Sequence, residues 1–202
     1  MAHEIVIHIV DDEEAVRKSL AFLLTMAGHA VRVHESATAF AAIAPELENA
    51  CLITDLRMPD MSGVDLLRRL KEADAMLPAI VITGHADVPM AVQAMKAGAI
   101  DFIEKPFAED VLFEAVARAT GELQKRPKGE DDLAAIRQRL ALLSDRERQV
   151  LTGLVAGLPN KTIGYDLEIS PRTVEVHRAN VMAKMQARSL PELVRMVIAT
   201  EA

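Results

Sequence analysis

Between residues 5 and 124 the chain repeats one pattern five times: a short apolar run halts at a polar or charged residue, and a helix-period segment follows. The runs are Ile5–Val10, Ala30–His34, Cys51–Asp55, Ala79–Thr83 and Asp101–Glu104. Each is too short for a helix and is bounded by turn or charged residues, so each reads as a strand. Helical spacing follows in Ala15–Met26, Ala37–Ile43, Val64–Glu72, Val88–Ala97 and from Glu109 to near Gln124. Gly28 and Gly98 are placed as helix stops. Strand–helix alternation of this kind demands a parallel sheet with helices on both faces and right-handed crossovers. The expected fold class is therefore α/β, a five-stranded doubly wound sheet.

That topology collects chemistry at one edge. Ligands of open α/β sheets bind outside the carboxyl ends of the strands. The residues delivered there are Asp11 and Asp12, Asp55, Thr83 and Lys105. Three carboxylates at one edge repel one another and raise their own pKa values unless a cation joins them. A hard divalent ion with oxygen ligands answers that, and Mg²⁺ commonly uses one or two carboxylates together with phosphate oxygens. Lys105 adds a positive charge and Thr83 a hydroxyl. The set suits phosphoryl transfer onto a carboxylate, where positioning and charge neutralisation do most of the work. Taken singly, each residue has a plainer explanation. Paired acids favour helix N-termini, a lone Asp caps a turn, and a Lys before Pro lies on the surface. Four such coincidences at one edge weigh against that explanation.

Asp11-Asp12, Asp55 with Pro59 and Gly63, Thr83-Gly84 and Lys105-Pro106 together resemble the receiver domain of two-component response regulators, over residues 1–122. The resemblance implies a flavodoxin-like sheet and an Asp55 that accepts phosphate from a sensor histidine kinase. It implies Mg²⁺ held by Asp12, Asp55 and the backbone carbonyl of Arg57, with Asp11 assisting through water. Lys105 would pair with the phosphoryl group and Thr83 would hydrogen-bond it. Phe102 stands at the family's aromatic switch position, often Tyr, so a response there is read through packing alone. Such a protein is no enzyme beyond assisting its own phosphorylation and dephosphorylation. A haloacid-dehalogenase-like phosphatase would need an acid at position 57, which is Arg, and a nucleophile on the first strand.

The rest of the chain changes character. Net charge is −7 overall, but residues 1–130 hold −8 and residues 131–202 hold +1. This asymmetry points to two domains with different partners. A linker, partly helical, is expected over 123–143, with Lys125–Glu130 as its charged, Pro- and Gly-bearing part. An all-α domain of four short helices is expected over 144–202. Ser144-Asp145-Arg146-Glu147 has the form of a capping box. Ser170-Pro171 opens a further helix with Ser at N-cap and Pro at N1. Four short helices with tight joints suggest a helix-turn-helix.

Leu158–Gly164 and Ile169–Arg178 resemble the LuxR-type helix-turn-helix, and the two domains together resemble the NarL/FixJ class of response regulators. The resemblance implies a homodimer on phosphorylation, bound to double-stranded promoter DNA, activating transcription with RNA polymerase as partner. The genes implied are oxygen-responsive or nitrogen-fixation genes; the same architecture serving another pathway, or a phosphorylation-dependent protein-binding adaptor, stays open. Glu175, Val176 and Ala179 are assigned to base edges, since Glu accepts from cytosine and small apolar groups meet thymine methyls. Lys161, Thr173, Arg178 and Lys184 are assigned to phosphates, and His177 to either. Val92 and Lys96 are carried over as the dimer face. A domain charge of +1 implies that a monomer binds DNA weakly and with salt sensitivity. Pro159 and Gly164 depart from the wider pattern, Gly164 costing about 1 kcal/mol of helix propensity against Ala. The single Cys51 excludes an internal disulfide and reads as a small buried hydrophobe. The start lacks a positive n-region, and no apolar run is long enough to span a bilayer. A soluble cytoplasmic protein with no membrane partner is expected.

Overall fold

The computed structural model describes residues 5–75, 77–84, 87–124 and 130–201. In chain order the elements are β1 (Val6–Val10), α1 (Glu14–Met26), β2 (Ala30–His34), α2 (Ala37–Ile43), β3 (Ala50–Asp55), α3 (Gly63–Glu72), β4 (Ala79–Thr83), α4 (Val88–Lys96), β5 (Asp101–Glu104), α5 (Glu109–Gln124), α6 (Glu130–Ala141), α7 (Asp145–Val155), α8 (Asn160–Asp166), α9 (Pro171–Met185) and α10 (Leu190–Glu201). The chain divides into two compact units. One comprises the five strands with α1–α3 and α5; the other comprises α4 with α6–α10. The linker expected at 123–143 includes 125–129, which lie outside the described residues, as does His85.

The first unit is built on a parallel sheet of order β2-β1-β3-β4-β5. Its three inner strands, β1, β3 and β4, are largely apolar because both faces are covered, whereas the edge strands β2 and β5 carry exposed positions. On one face Ile7, Ile9, Cys51, Ile53, Ile80 and Ile82 pack with Leu20 and Leu24 of α1 and Leu112 and Val116 of α5. Burial pushes the Cys51 thiol up to about 12, which fits an inert core residue. On the other face His8, Thr54 and Thr83, all buried, break the apolar pattern. His8 is buried and stacks on His34, with ring centroids 5.2 Å apart and Nδ1 2.9 Å from the His34 Nε2. Phe40 of α2 closes this stack edge-on to His34. Burial first, then the neighbouring His34, pushes the His8 pKa down to about 4.

The strand order reverses direction at β1 and β3, the point where such sheets open a crevice. The register sets Val10 beside Thr54, so Asp11 and Asp55 follow side by side at the carboxyl end. After Asp55 the chain turns at once into α3. Ser62 caps α3, its hydroxyl accepting from the Asp65 N–H at 3.1 Å, and Gly63 N donates to Leu56 O at 2.9 Å. Gly63 must be glycine for a local reason: a Cβ there would collide with the carbonyl oxygen of Asp55. The start of α3 is thus packed against the backbone of Asp55 itself.

In the second unit, α7 opens with the expected capping box: Ser144 Oγ accepts from Glu147 N at 3.3 Å and Glu147 Oε2 accepts from Ser144 N at 2.8 Å. Val150, Leu154, Ile163, Val174, Val181 and Met185 are buried together with Leu193 and Val194 of α10. Ser170 caps α9 by accepting from Thr173 N at 3.0 Å, with Pro171 behind it. The α8–α9 joint is tight, since a Cβ on Gly164 would sit 2.8 Å from Ile169 O. Close approach, rather than helix propensity, accounts for glycine at this position. Pro159 fills the N-cap of α8 without a side-chain bond.

Gly63→Ala is expected to lower the unfolding free energy by about 1–3 kcal/mol, the usual cost of overpacking a tight site. Urea denaturation of the two proteins measures it, and an unchanged midpoint would mean that α3 can retreat from Asp55 at no cost.

Candidate functional site

Asp11, Asp55 and Lys105 come from the ends of three strands and meet at one point. Lys105 Nζ donates to Asp11 Oδ2 at 3.1 Å and to Asp55 Oδ1 at 2.9 Å. The Asp11 side chain is 3% exposed, Asp55 12% and Lys105 22%, so the pocket is nearly closed around the acids and open on the lysine side. Asp11 is held at every polar atom. Its N–H donates to His34 O at 3.3 Å, its Oδ1 accepts from Glu13 N at 2.9 Å, and its carbonyl accepts from Arg17 Nη1 at 2.7 Å. The same guanidinium nitrogen reaches Asp12 O at 2.9 Å. The other oxygen of Asp55, Oδ2, accepts from Arg57 N at 2.6 Å.

Burial raises the pKa of Asp11; the Glu13 N–H and Lys105 oppose this, and the nearby Asp55 adds to it. Burial works to lower the Lys105 pKa, but hydrogen bonding to and attraction by Asp55 and Asp11 outweigh it, and the ammonium is held above its usual range. Two carboxylates thus share one cation, leaving an excess negative charge that a further cation would offset. Asp12 is exposed one residue beyond Asp11. Among the described residues no three His, Cys, Asp or Glu side chains gather as a metal cluster. The donor set is the carboxylates of Asp11 and Asp55, with that of Asp12 exposed beside them. That set is hard and oxygen-only, and it fits Mg²⁺, which keeps several waters. Thr83 ends β4 fully buried, and Phe102 of β5 is half-buried opposite Val81.

The second unit offers a different surface. Along α9, Glu175, Val176 and Ala179 are exposed on one side, while Val174, Val181 and Met185 are buried on the other. Val176 is an apolar side chain 56% exposed on an otherwise ordinary surface helix. Lys161 at the start of α8 is exposed; Thr173, His177 and Arg178 are half-buried. The Thr173 hydroxyl lies 2.7 Å from that of Ser170, tied to the cap of α9.

Residues 7–117 match the response regulator receiver domain, and residues 141–197 match the luxR family of bacterial regulatory proteins. Over 193 residues the chain is 66% identical to the transcriptional regulatory protein FixJ of Rhizobium meliloti (strain 1021), covering 96% of this chain and 95% of that protein. It is 53% identical over 198 residues to FixJ of Azorhizobium caulinodans, covering 98% and 94%. Full-length FixJ from B. japonicum, known from crystal structures, matches with a TM-score of 0.58 at 47% identity over 97% of each chain. The chain belongs to the response-regulator family. It is a FixJ-like response regulator, a receiver domain joined to a LuxR-type DNA-binding domain. Among the described residues no helix is long and apolar enough to cross a membrane.

Within this response regulator the residues expected at the pocket fall into two groups. Asp11, Asp55 and Lys105 are in contact; Asp12 lies on the rim. One expectation changes. Val92, expected at the surface as part of the dimer face, is 1% exposed, in a helix that packs with α7 and α10 in the second unit; Lys96 of the same helix is exposed. Lys184, expected on DNA phosphates, is exposed and donates to Glu147 Oε2 at 2.7 Å and to Leu142 O at 3.3 Å. Lys184, then Ser144, holds the Glu147 carboxyl down at about 2. Sequence reading missed this pair although it had both residues, because the bond spans 37 positions. It also missed Arg17, whose one signal was its place in the first turns of α1 after the acidic run.

Lys184→Met is expected to lower the melting temperature of the protein. It should leave the slope of log binding constant against log salt unchanged for promoter-like DNA. Fluorescence anisotropy across a salt series measures the slope. A slope shallower by about 0.9 would put Lys184 on the DNA backbone after all.

Proposed function

We propose that Asp55 is the phosphoacceptor and that its phosphorylation by a sensor histidine kinase turns the protein into a dimeric, promoter-binding activator. The observation that carries this reading is the meeting of Asp11, Asp55 and Lys105 at the carboxyl end of the sheet. In the transfer, an oxygen of Asp55 attacks the phosphorus of the kinase phosphohistidine. The P–N bond breaks as the O–P bond forms, its electron pair stays on the imidazole nitrogen, and that nitrogen takes a proton from solvent. Asp12, Asp55 and the Arg57 carbonyl, with Asp11 through water, would hold Mg²⁺, which when bound supplies positive charge against the phosphoryl oxygens. Lys105 moves from bridging two carboxylates to holding the transferred group, and its place between Asp11 and Asp55 supports this. Thr83 hydrogen-bonds the phosphoryl group, and Phe102 follows by repacking, without a hydroxyl to direct it.

The switch then alters a pre-existing equilibrium. Val92 and Lys96 supply the dimer face. Since Val92 is buried, dimerisation through α4 requires that helix to release its present neighbours. The dimer sets two α9 helices into successive major grooves, about one helical turn of DNA apart. Glu175, Val176 and Ala179 read bases, and the exposure of all three supports this assignment. Lys161, Thr173 and Arg178 hold phosphates, with His177 on either. Bound there, the protein recruits RNA polymerase. The identity of 66% with a FixJ protein supports oxygen-linked nitrogen-fixation genes as the targets.

The test is selection of genomic fragments by the purified protein, with and without Mg²⁺ and beryllofluoride, which mimics the phosphoryl group. Enrichment of a few two-fold symmetric sites only with the mimic is expected, and Asp55→Asn should abolish it. The same sites in both conditions would remove phosphorylation as the gate. No enrichment in either would remove DNA binding as the output.

A further inference from the structure

The loop that follows Asp55 is pinned at its base by its own packing and at its far end by one side chain. At the base, Leu56 N donates to Ile82 O at 3.2 Å, Gly63 N donates to Leu56 O at 2.9 Å, and Leu56 and Met58 are buried. At the far end Asp60 reaches across to another element. Its Oδ2 accepts from the Ser36 hydroxyl at 2.8 Å and from the Thr38 N–H at 2.8 Å. These groups form the N-terminus of α2. Ser36 is the N-cap, and its hydroxyl oxygen accepts from Ala39 N at 3.1 Å. The first turn of a helix has N–H groups with no partner inside the helix. Here Ser36 satisfies one of them and Asp60, from 22 residues further along the chain, satisfies another. The two caps are joined, because the Ser36 hydroxyl that caps Ala39 donates its proton to Asp60.

We propose that Asp60 is a positioning residue for the phosphoacceptor pocket: by clasping the β3–α3 loop to the N-terminus of α2, it holds the Arg57 carbonyl where the pocket's divalent cation takes it. The proposal rests on the Mg²⁺-dependent reading of that pocket. Arg57 and Pro59 are exposed, so packing alone does not fix the segment between Met58 and Asp60. The clasp has short bonds and a charged acceptor, the stronger kind of hydrogen bond. In keeping with this, the Thr38 N–H above all holds the Asp60 carboxyl down at about 2, so it is a charged acceptor at neutral pH. Its consequence runs both ways. Order at the N-terminus of α2 and order in the loop after Asp55 depend on the same oxygen.

The experiment titrates the full chain with Mg²⁺ alone by calorimetry, in wild type, Asp60→Ala and Asp60→Asn, with amide hydrogen exchange of Thr38 and Ala39 followed in parallel. Groups that orient metal ligands typically change metal affinity by 10–100-fold, and Asp60→Ala, acting one step further out, should raise the Kd about tenfold. Exchange at Thr38 and Ala39 should quicken in the same variant. Asp60→Asn keeps an acceptor oxygen but loses the charge, and should restore both readings close to wild type. Equal weakening by Ala and Asn would mean a long-range charge effect and would overturn the clasp. An unchanged Kd in Asp60→Ala would also overturn it, leaving the pocket reading intact. No Mg²⁺ binding by wild type would remove the pocket reading and this proposal with it. Should Asp60→Ala not fold, Ser36→Gly makes the same test. It keeps a residue favoured at the N-cap but deletes one of the two bonds, and should move the Kd in the same direction by a smaller factor.

Discussion

One ammonium shared between two buried carboxylates is the constraint on which the first unit turns. Asp11 and Lys105 are 94 residues apart, and Asp55 and Lys105 are 50 apart. Placing such charges away from water is costly unless they are paired in good geometry. The parallel sheet provides that geometry by register alone, ending three strands at one edge. The apolar strands, the covering helices and the close packing of Gly63 on Asp55 all fix where those ends lie. What remains is a site with more negative than positive charge. A site in this state is tuned to be changed, since anything that draws Lys105 away alters the balance on Asp11 and Asp55 together.

The second unit uses the same device for the opposite purpose. Glu147 and Lys184 form a pair that also closes the capping box of α7. Here the charges serve rigidity: the end of α9 is tied to the start of α7, and its apolar side is locked into the core. Holding the helix by one side leaves Glu175, Val176 and Ala179 presented on the other. Lys184, assigned to a phosphate from the sequence, braces α9 against α7.

How far the sequence could be read follows from which interactions are local. The inner strands were legible because strands buried on both faces write themselves as nearly uninterrupted apolar runs, and the edge strands because they alternate with helix-period segments. The caps at Ser144 and Ser170 were legible because capping joins residues three apart. Asp11, Asp55 and Lys105 could be brought together from residue order alone, because a doubly wound sheet leaves their strands few ways to end. Asp60 could not, since its carboxylate looks like any turn acid until Ser36 and Thr38 are beside it. Arg17 and the Lys184–Glu147 pair were hidden for the same reason. His8 was legible as part of a strand, but its stacking on His34 and Phe40 depended on which face of the sheet each occupied. Val92 illustrates the limit from the other side. Its residue type and helical spacing fit an exposed or a buried face equally, and only the packing of α4 decides between them.

The most direct measurement is chemical mapping of the phosphorylated residue. The protein would be phosphorylated with a small-molecule acyl phosphate in the presence of Mg²⁺, and the acyl phosphate on the protein reduced with borohydride. The account predicts a single reduced aspartate, at position 55, and none when Mg²⁺ is removed by a chelator. Reduction at Asp11 or Asp12, or labelling that persists without the metal, would contradict the arrangement in which Lys105 and a bound cation flank Asp55.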